Sequence, residues 1–206
     1  MMGDTVIAKD RTAITTDRAE IKSGAEVLPP KPKTAKEKAA ELAQLTEEDK
    51  RKTRCCFTGH RPQKLCRPVD DIKVDLENAI LTAINDGYTT FITGMAYGTD
   101  IWAGNIVVRL KDRFPDLKLI AAVPFPEFSE KWDDEWKDRY NRLIERADLV
   151  KIIAPEYNDA AYQARNQWMV DHSSKVIAVY DGSAGGTRNT IQYARKSHVF
   201  VNYLKG

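Results

Sequence analysis

Three observations in this sequence predict an α/β fold: a three-layer sandwich with a mainly parallel central sheet, preceded by a disordered N-terminal tail. Strand-like and helix-like runs alternate in regular order from Phe57 onward, the pattern of right-handed βαβ crossovers in a sheet covered on both faces. Glycine-rich breaks follow three of the strand-like runs. The chain's 6 Phe, 4 Trp and 8 Tyr residues all lie at or after Phe57, so the segment before it has too little to bury to offset its ordering entropy. In a chain of 206 residues, this predicts a domain over 54–206 and a disordered or partly helical tail over 1–53.

The elements follow in order. Residues 1–33 read as disordered and end in Pro29-Pro30-Lys31-Pro32, a stiff polyproline-like spacer. A capping box, Thr34-Ala-Lys-Glu37, opens a weakly apolar helix to about Gln44, with only Leu42 and Leu45 fit to dock. After the strand at Cys55-Cys56-Phe57, apolar positions at Ile72, Leu76, Ala79-Ile80 and Ala83-Ile84 repeat at three and four residues, a helix that stops at Asn85-Asp86-Gly87. Next come a strand at Thr89–Thr93, a helix at Asp100–Arg113, a strand at Leu117–Val123, a helix at Asp133–Arg146 and a strand at Leu149–Ala154. A helix at Ala160–Asp171, the strand Val176–Tyr180, a helix at Thr187–Lys196 and a last strand at Val199–Tyr203 complete a Rossmann-like series. Trp132, Trp136 and Tyr140 recur every four residues, the core face of an amphipathic helix. Trp132 and Phe128 are also placed to wall a base-binding slot. His172 and His198, near helix C-termini, read as structural.

The 32 basic and 30 acidic residues leave a formal charge of +2, so no strong field draws this chain to nucleic acid or to an anionic membrane, and both are disfavoured as partners. No apolar run approaches the roughly 20 residues that span a bilayer, and Met-Met-Gly-Asp-Thr lacks a secretory pattern, so a cytoplasmic location is expected. Cys55, Cys56 and Cys66 are badly spaced for zinc, and adjacent Cys55 and Cys56 point to opposite faces of a strand; no metal is expected. A homo-oligomer is compatible with the sequence.

In a parallel sheet the three glycine-rich breaks share the carboxyl edge, where backbone N–H groups and helix N-termini converge on an anion. In Thr58-Gly59-His60-Arg61-Pro62, Gly59 permits close backbone approach, Arg61 can fork onto a phosphate and His60 can donate a proton. A plain tight turn with a solvated arginine is the other reading. Thr93-Gly94-Met95-Ala96-Tyr97-Gly98-Thr99-Asp100 sets two glycines four apart at a strand-to-helix junction. Asp100 either caps the new helix or accepts from a ribose hydroxyl. The third loop runs Asp181-Gly182-Ser183-Ala184-Gly185-Gly186-Thr187. The glycines match neither the nicotinamide dinucleotide fingerprint nor a P-loop, so no cofactor is expected. Arg165 lies on the helix before the strand that leads to Gly182; spacing alone leaves it as a site residue or a surface cation.

Together these loops resemble the SLOG superfamily, the Rossmann-like nucleotide-binding fold shared by the Smf/DprA proteins and the Lonely Guy phosphoribohydrolases, and within it the YpsA-like branch. Four motifs carry the resemblance over about residues 54–206: Thr58 to Pro62, Thr93 to Asp100, Arg165-Asn166-Gln167-Trp168-Met169-Val170-Asp171, and Tyr180 to Thr187. It implies binding of a nucleotide or nucleotide derivative, such as an ADP-ribose-like molecule, at the sheet's carboxyl edge. The ligand-binding residues expected on this basis are Thr58, Gly59, His60, Arg61, Gly94, Met95, Ala96, Gly98, Asp100, Arg165, Asp181, Gly182, Gly185, Gly186 and Thr187. Lonely Guy enzymes carry Pro-Gly-Gly-x-Gly-Thr-x-x-Glu, whose glutamate serves N-glycosidic cleavage with an arginine. Here Arg165 matches that arginine, the one catalytic candidate, and Thr190 stands in the glutamate's place. A threonine supplies neither negative charge nor a base near neutral pH. Sensing or sequestration of a nucleotide-like ligand is therefore the leading expectation, and a phosphoribohydrolase acting on nucleoside monophosphates is the alternative.

Overall fold

The computed structural model describes residues 44–206 together with Thr34. Residues 1–33 of the expected tail, and all but the two ends of the helix expected over 34–44, lie outside the described residues. Six strands form one sheet in the order β4-β3-β2-β1-β5-β6, and every neighbouring pair is parallel. The strands are β1 (Arg54–Gly59), β2 (Thr90–Thr93), β3 (Lys118–Val123), β4 (Leu149–Ile152), β5 (Lys175–Tyr180) and β6 (Phe200–Lys205). The helices are α1 (Glu47–Lys52), α2 (Val69–Asn85), α3 (Thr99–Leu110), α4 (Asp134–Arg146), α5 (Ala161–Asp171) and α6 (Gly186–Lys196).

The alternation of side chains along the strands sorts the core into two halves. Cys55, Phe57, Phe91, Leu119, Ala121 and Ile177 point to the face covered by α2, α3 and α4. Cys56, Ile92, Ile120, Ala122, Val176 and Ala178 point to the other, where Met169 and Val170 of α5 and Ile191 and Ala194 of α6 meet them. The mean plane of the sheet thus passes between the two adjacent cysteines. Burial pushes both thiols up, Cys56 to about 12, which keeps them protonated and unreactive.

Each helix uses the apolar period read from the sequence. α2 buries Ile72, Leu76, Ala79, Ile80 and Ala83, and the chain leaves it through Gly87 at φ +93°. α3 is buried nearly all round because it lies on the sheet between α2 and α4; a Cβ on Gly104 would come within 2.7 Å of the Leu143 side chain, so α3 and α4 approach closely there. α4 buries Tyr140 and Leu143, with Asp133 as its cap, accepting from the Trp136 N–H.

Some boundaries differ from expectation for identifiable reasons. The last strand starts at Phe200 rather than Val199, because the Val199 N–H still bonds to Ala194 O at 2.9 Å and His198 turns at φ +55°. β4 ends at Ile152, where the chain leaves toward α5, and all four of its residues are exposed at the sheet edge. Within the segment expected as tail, α1 is a helix. Thr46 caps it by accepting from Asp49 N, and acidic residues fill its first turn and basic ones its last, both favoured by the helix dipole. Arg51 Nε donates to Ser173 O at 2.9 Å and Ser174 Oγ donates to Lys52 O at 3.1 Å, tying this short helix to the turn before β5.

Among the described residues no helix is long and apolar enough to cross a membrane. The strand next to β1 at the sheet's centre is the stability anchor: Ile177 is fully buried on β5. Ile177→Ala is expected to lower unfolding free energy by about 2–5 kcal/mol, measured by urea denaturation; a loss under about 1 kcal/mol would show that the site relaxes freely.

Candidate functional site

From β1 the chain builds outward through β2, β3 and β4, then returns to the opposite side of β1 to form β5. At such a reversal the loops after the two neighbouring strands diverge, and a crevice opens at their carboxyl ends. A cleft of about 540 Å³ occupies this place. β1 and the loop and 3-10 turn after it supply Thr58, Gly59, His60, Arg61 and Lys64 to its walls, the loop and helix after β2 supply Ala96 and Asp100, α5 supplies Tyr162, Arg165 and Asn166, and the start of α6 supplies Gly185, Gly186 and Thr187.

Five of the expected residues, Gly94, Met95, Gly98, Asp181 and Gly182, are not among those lining the cleft. Gly94 backs the Arg165 guanidinium and the Asp100 carboxyl so closely that any Cβ would overlap both. Met95 is fully buried and held at φ +61°, a left-handed conformation that a non-glycine residue adopts at a cost; its N–H donates to Thr93 Oγ1 at 3.2 Å. Gly98 turns at φ +93° against Pro62. Asp181 meets the cleft lining through His60, and Gly182 turns at φ +97°.

Two polar clusters organise the cleft. His60 is 4% exposed, and its Nε2 lies 2.7 Å from Asp181 Oδ1 and 3.4 Å from Ser183 Oγ. The Ser183 backbone N–H donates to Asp181 at 2.8 Å; that bond, reinforced by the Ser183 hydroxyl and His60, holds the Asp181 carboxyl below the usual carboxylate range. The second cluster is Asp100 and Arg165, 7% and 5% exposed. Asp100 does not cap α3: its Oδ2 accepts from Ala96 N at 3.3 Å and lies 3.9 Å from Arg165 Nη1. Burial pushes the Asp100 carboxyl up to about 6 even though Arg165 opposes the shift, and burial likewise lowers the Arg165 guanidinium. Arg165 Nε donates to Asn166 Oδ1 at 2.8 Å, but its buried Nη1 has no hydrogen-bond partner.

The helix starts around the cleft add to this. Gly98 and Gly185 stand at the caps of α3 and α6, and neither start has a capping side chain, which leaves first-turn N–H groups without a side-chain acceptor. Lys64 Nζ reaches across to donate to Ala184 O at 3.3 Å, bringing a cation against the third loop. Arg165, Lys64 and the uncapped start of α6 thus border the same cleft.

Lys64 and Tyr162 were not legible as site residues in the sequence. Lys64 arrives through the short 3-10 turn Pro62–Lys64, and Tyr162 stands one helical turn before Arg165 on α5. Phe128, expected as one wall of a base slot, is instead core: it is 5% exposed and ringed by Phe125, Trp132, Tyr140 and Tyr162. His172 packs on Trp168 at 4.1 Å and bonds its carbonyl, a structural role.

Residues 55–203 match the family model of the YspA SLOG family. The chain belongs to the YspA SLOG family. It is 40% identical over 121 residues to the SPbeta prophage-derived protein YoqJ of Bacillus subtilis (strain 168), covering 53% of this chain and 71% of YoqJ. It is 29% identical over 155 residues to a UPF0398 protein of Bacillus cereus (strain B4264), covering 71% of this chain and 84% of that protein. Among solved structures it is similar to DNA processing protein A from Helicobacter pylori, at a TM-score of 0.54 and 16% identity over 78% of this chain and 68% of that one. It is also similar to the Streptococcus pneumoniae DprA, at a TM-score of 0.50 and 16% identity over 75% of this chain and 51% of that one. At such identities these two likenesses concern the fold.

In this SLOG chain Thr190 is 1% exposed, and its hydroxyl donates to Gly186 O at 2.9 Å. It is spent on the helix backbone and does not line the cleft.

The shifted Asp100 makes stability depend on pH. Between its ordinary value of 3.8 and about 6, the folded protein holds a proton that the unfolded chain has lost, so stability falls as pH rises through that window and levels off above it. Asp100→Asn is expected to remove this part of the slope, read from urea denaturation of both proteins between pH 4 and 7. Parallel stability profiles would contradict the buried, shifted carboxyl.

Proposed function

We propose that this protein binds a nucleotide or nucleotide-derived small molecule, its phosphate held in the cleft beside β1 and β5. The observation that carries this reading is the buried Arg165 Nη1, which has no hydrogen-bond partner. A buried charged donor without an acceptor is costly, by about 1–3 kcal/mol or more, and an incoming phosphate oxygen supplies the acceptor. The Gly185-Gly186 helix start and Lys64 on the same wall give the remaining charge of a phosphate its partners. Sensing or sequestration, rather than turnover, is the reading that Thr190 favours, because it stands where the Lonely Guy motif carries its glutamate.

The H. pylori DprA is a single-stranded DNA binder by its description. The present chain has a formal charge of only +2, which favours a small anion over a polyanion. Free, mostly buried cysteines fit a reducing, cytoplasmic setting.

A melting series with AMP, ADP-ribose, NAD and cyclic dinucleotides tests the proposal. A true ligand at a hundredfold excess over its dissociation constant is expected to add about 2.7 kcal/mol of stability. Gly186→Asp is expected to abolish that gain without lowering the unliganded melting temperature, because a Cβ there meets open space while its carboxylate repels the phosphate. No shift with any compound would remove the proposal's support.

A further inference from the structure

Next to the phosphate cleft, on the far side of Arg61, lies a second hollow of about 300 Å³. Tyr97, Trp132 and Trp136 form its walls, with Gln63 and Lys131 at the rim. We propose that this hollow is a stacking subsite for a second aromatic heterocycle, so that the preferred ligand is a dinucleotide: two nucleoside units joined through a phosphate or pyrophosphate bridge. The proposal rests on the reading of the neighbouring cleft as a phosphate site.

The walls are aromatic, yet they are not core. Trp132 packs its inner side on Phe128 at 5.0 Å and Tyr140 at 5.6 Å, and Trp136 meets Trp102 at 6.2 Å. All three wall residues nevertheless remain half-buried, whereas Phe57 and Phe91 in the centre are at most 1% exposed. Tyr97 stands edge-on to Trp132 at 5.3 Å and tilted to Trp136 at 5.6 Å, so rings from the loop after β2, from the turn before α4 and from α4 itself meet at an angle and leave a concave surface between them. Such a surface accepts any base through its π face. The Gln63 amide, the Lys131 ammonium and the Asp133 carboxyl share the lining with these rings and supply hydrogen-bonding groups that orient a heterocycle.

Arg61 joins the two hollows, because its side chain borders both. Its guanidinium lies 4.5 Å over the Tyr97 ring, which fixes a planar fork of donors at the boundary. A phosphate bridging two nucleosides is the group that such a fork recognises bidentately. The bridge then runs from Arg61 toward Arg165, with one nucleoside unit in the first cleft and the other on the tryptophans. A single nucleotide fills one hollow and leaves the second wet.

Calorimetric titrations of the full chain with diadenosine pyrophosphate, AMP, inorganic pyrophosphate and an oligothymidylate test this, with tryptophan emission followed in parallel. The dinucleotide is expected to bind at least about tenfold tighter than AMP and to quench emission, as stacking of one extra base provides. Trp132→Leu and Trp136→Leu keep apolar volume at their inner contacts; each is expected to lower dinucleotide affinity about tenfold while leaving AMP affinity within about twofold. The wild-type comparison needs no variant, so a poorly folding variant does not rescue the idea. A dinucleotide that binds no tighter than AMP overturns the subsite and leaves the phosphate reading standing, as does an equal loss for both ligands in the variants. Preferential, steeply salt-dependent binding of the oligothymidylate overturns it in favour of single-stranded nucleic acid. No binding of AMP, pyrophosphate or the dinucleotide overturns both readings together.

Discussion

The reversal of strand order beside β1 is the constraint on which the rest of this molecule depends. Parallel strands joined by crossovers have to be covered on both faces, and a first strand that ends up central has to be approached from two sides. Here β2, β3 and β4 take one side of β1 and β5 and β6 the other. The loops after β1 and β5 therefore turn away from each other, one toward α2 and one toward α6. The gap between them is the cleft. Its floor is made by strand ends whose side chains are locked in the core, so the groups that line it stand on rigid elements.

Within that cleft, burial sets the chemistry. Arg165 and Asp100 are both removed from water, which weakens the charged form of each. Their separation of 3.9 Å is an ion pair but not a hydrogen bond, so attraction offsets only part of the desolvation. Gly94 is what permits this geometry: without a side chain it lets the guanidinium and the carboxyl sit against the β2 loop. The loop in turn holds Met95 at a strained φ of +61°, with its side chain fully buried as an anchor. Strain in the backbone and an unsatisfied N–H in the side chain meet at one place, the combination expected where structure has been arranged for a ligand rather than for stability.

Most of the fold was legible in the sequence because it depends on local periodicity. The apolar spacing of α2, the β-branched run of β5 and the glycine after each central strand all act over a few residues, and the structure places them as read. Features that depend on distant contacts were less legible. α1 is a helix tied by Arg51 to Ser173, more than a hundred residues away in the chain. Asp100 had two local readings, and its actual partner, Arg165, comes from another crossover. Lys64 reaches the third loop only once β1 and β5 lie side by side. Thr190 aligned with a catalytic position on a motif, yet its side chain turns back to Gly186, which no motif records.

The central claim is that buried Arg165 recognises the phosphate. Removing the arginine alone would strand Asp100 as an unpaired buried group, so the direct measurement is calorimetric titration of the double variant Arg165→Gln, Asp100→Asn, whose neutral pair keeps the packing. The titrant is the nucleotide that raises the melting temperature most. The account predicts a loss of about tenfold to a hundredfold in affinity, the worth of a hydrogen bond to a charged group, with the native circular dichroism retained. Unchanged affinity in a folded double variant would contradict it.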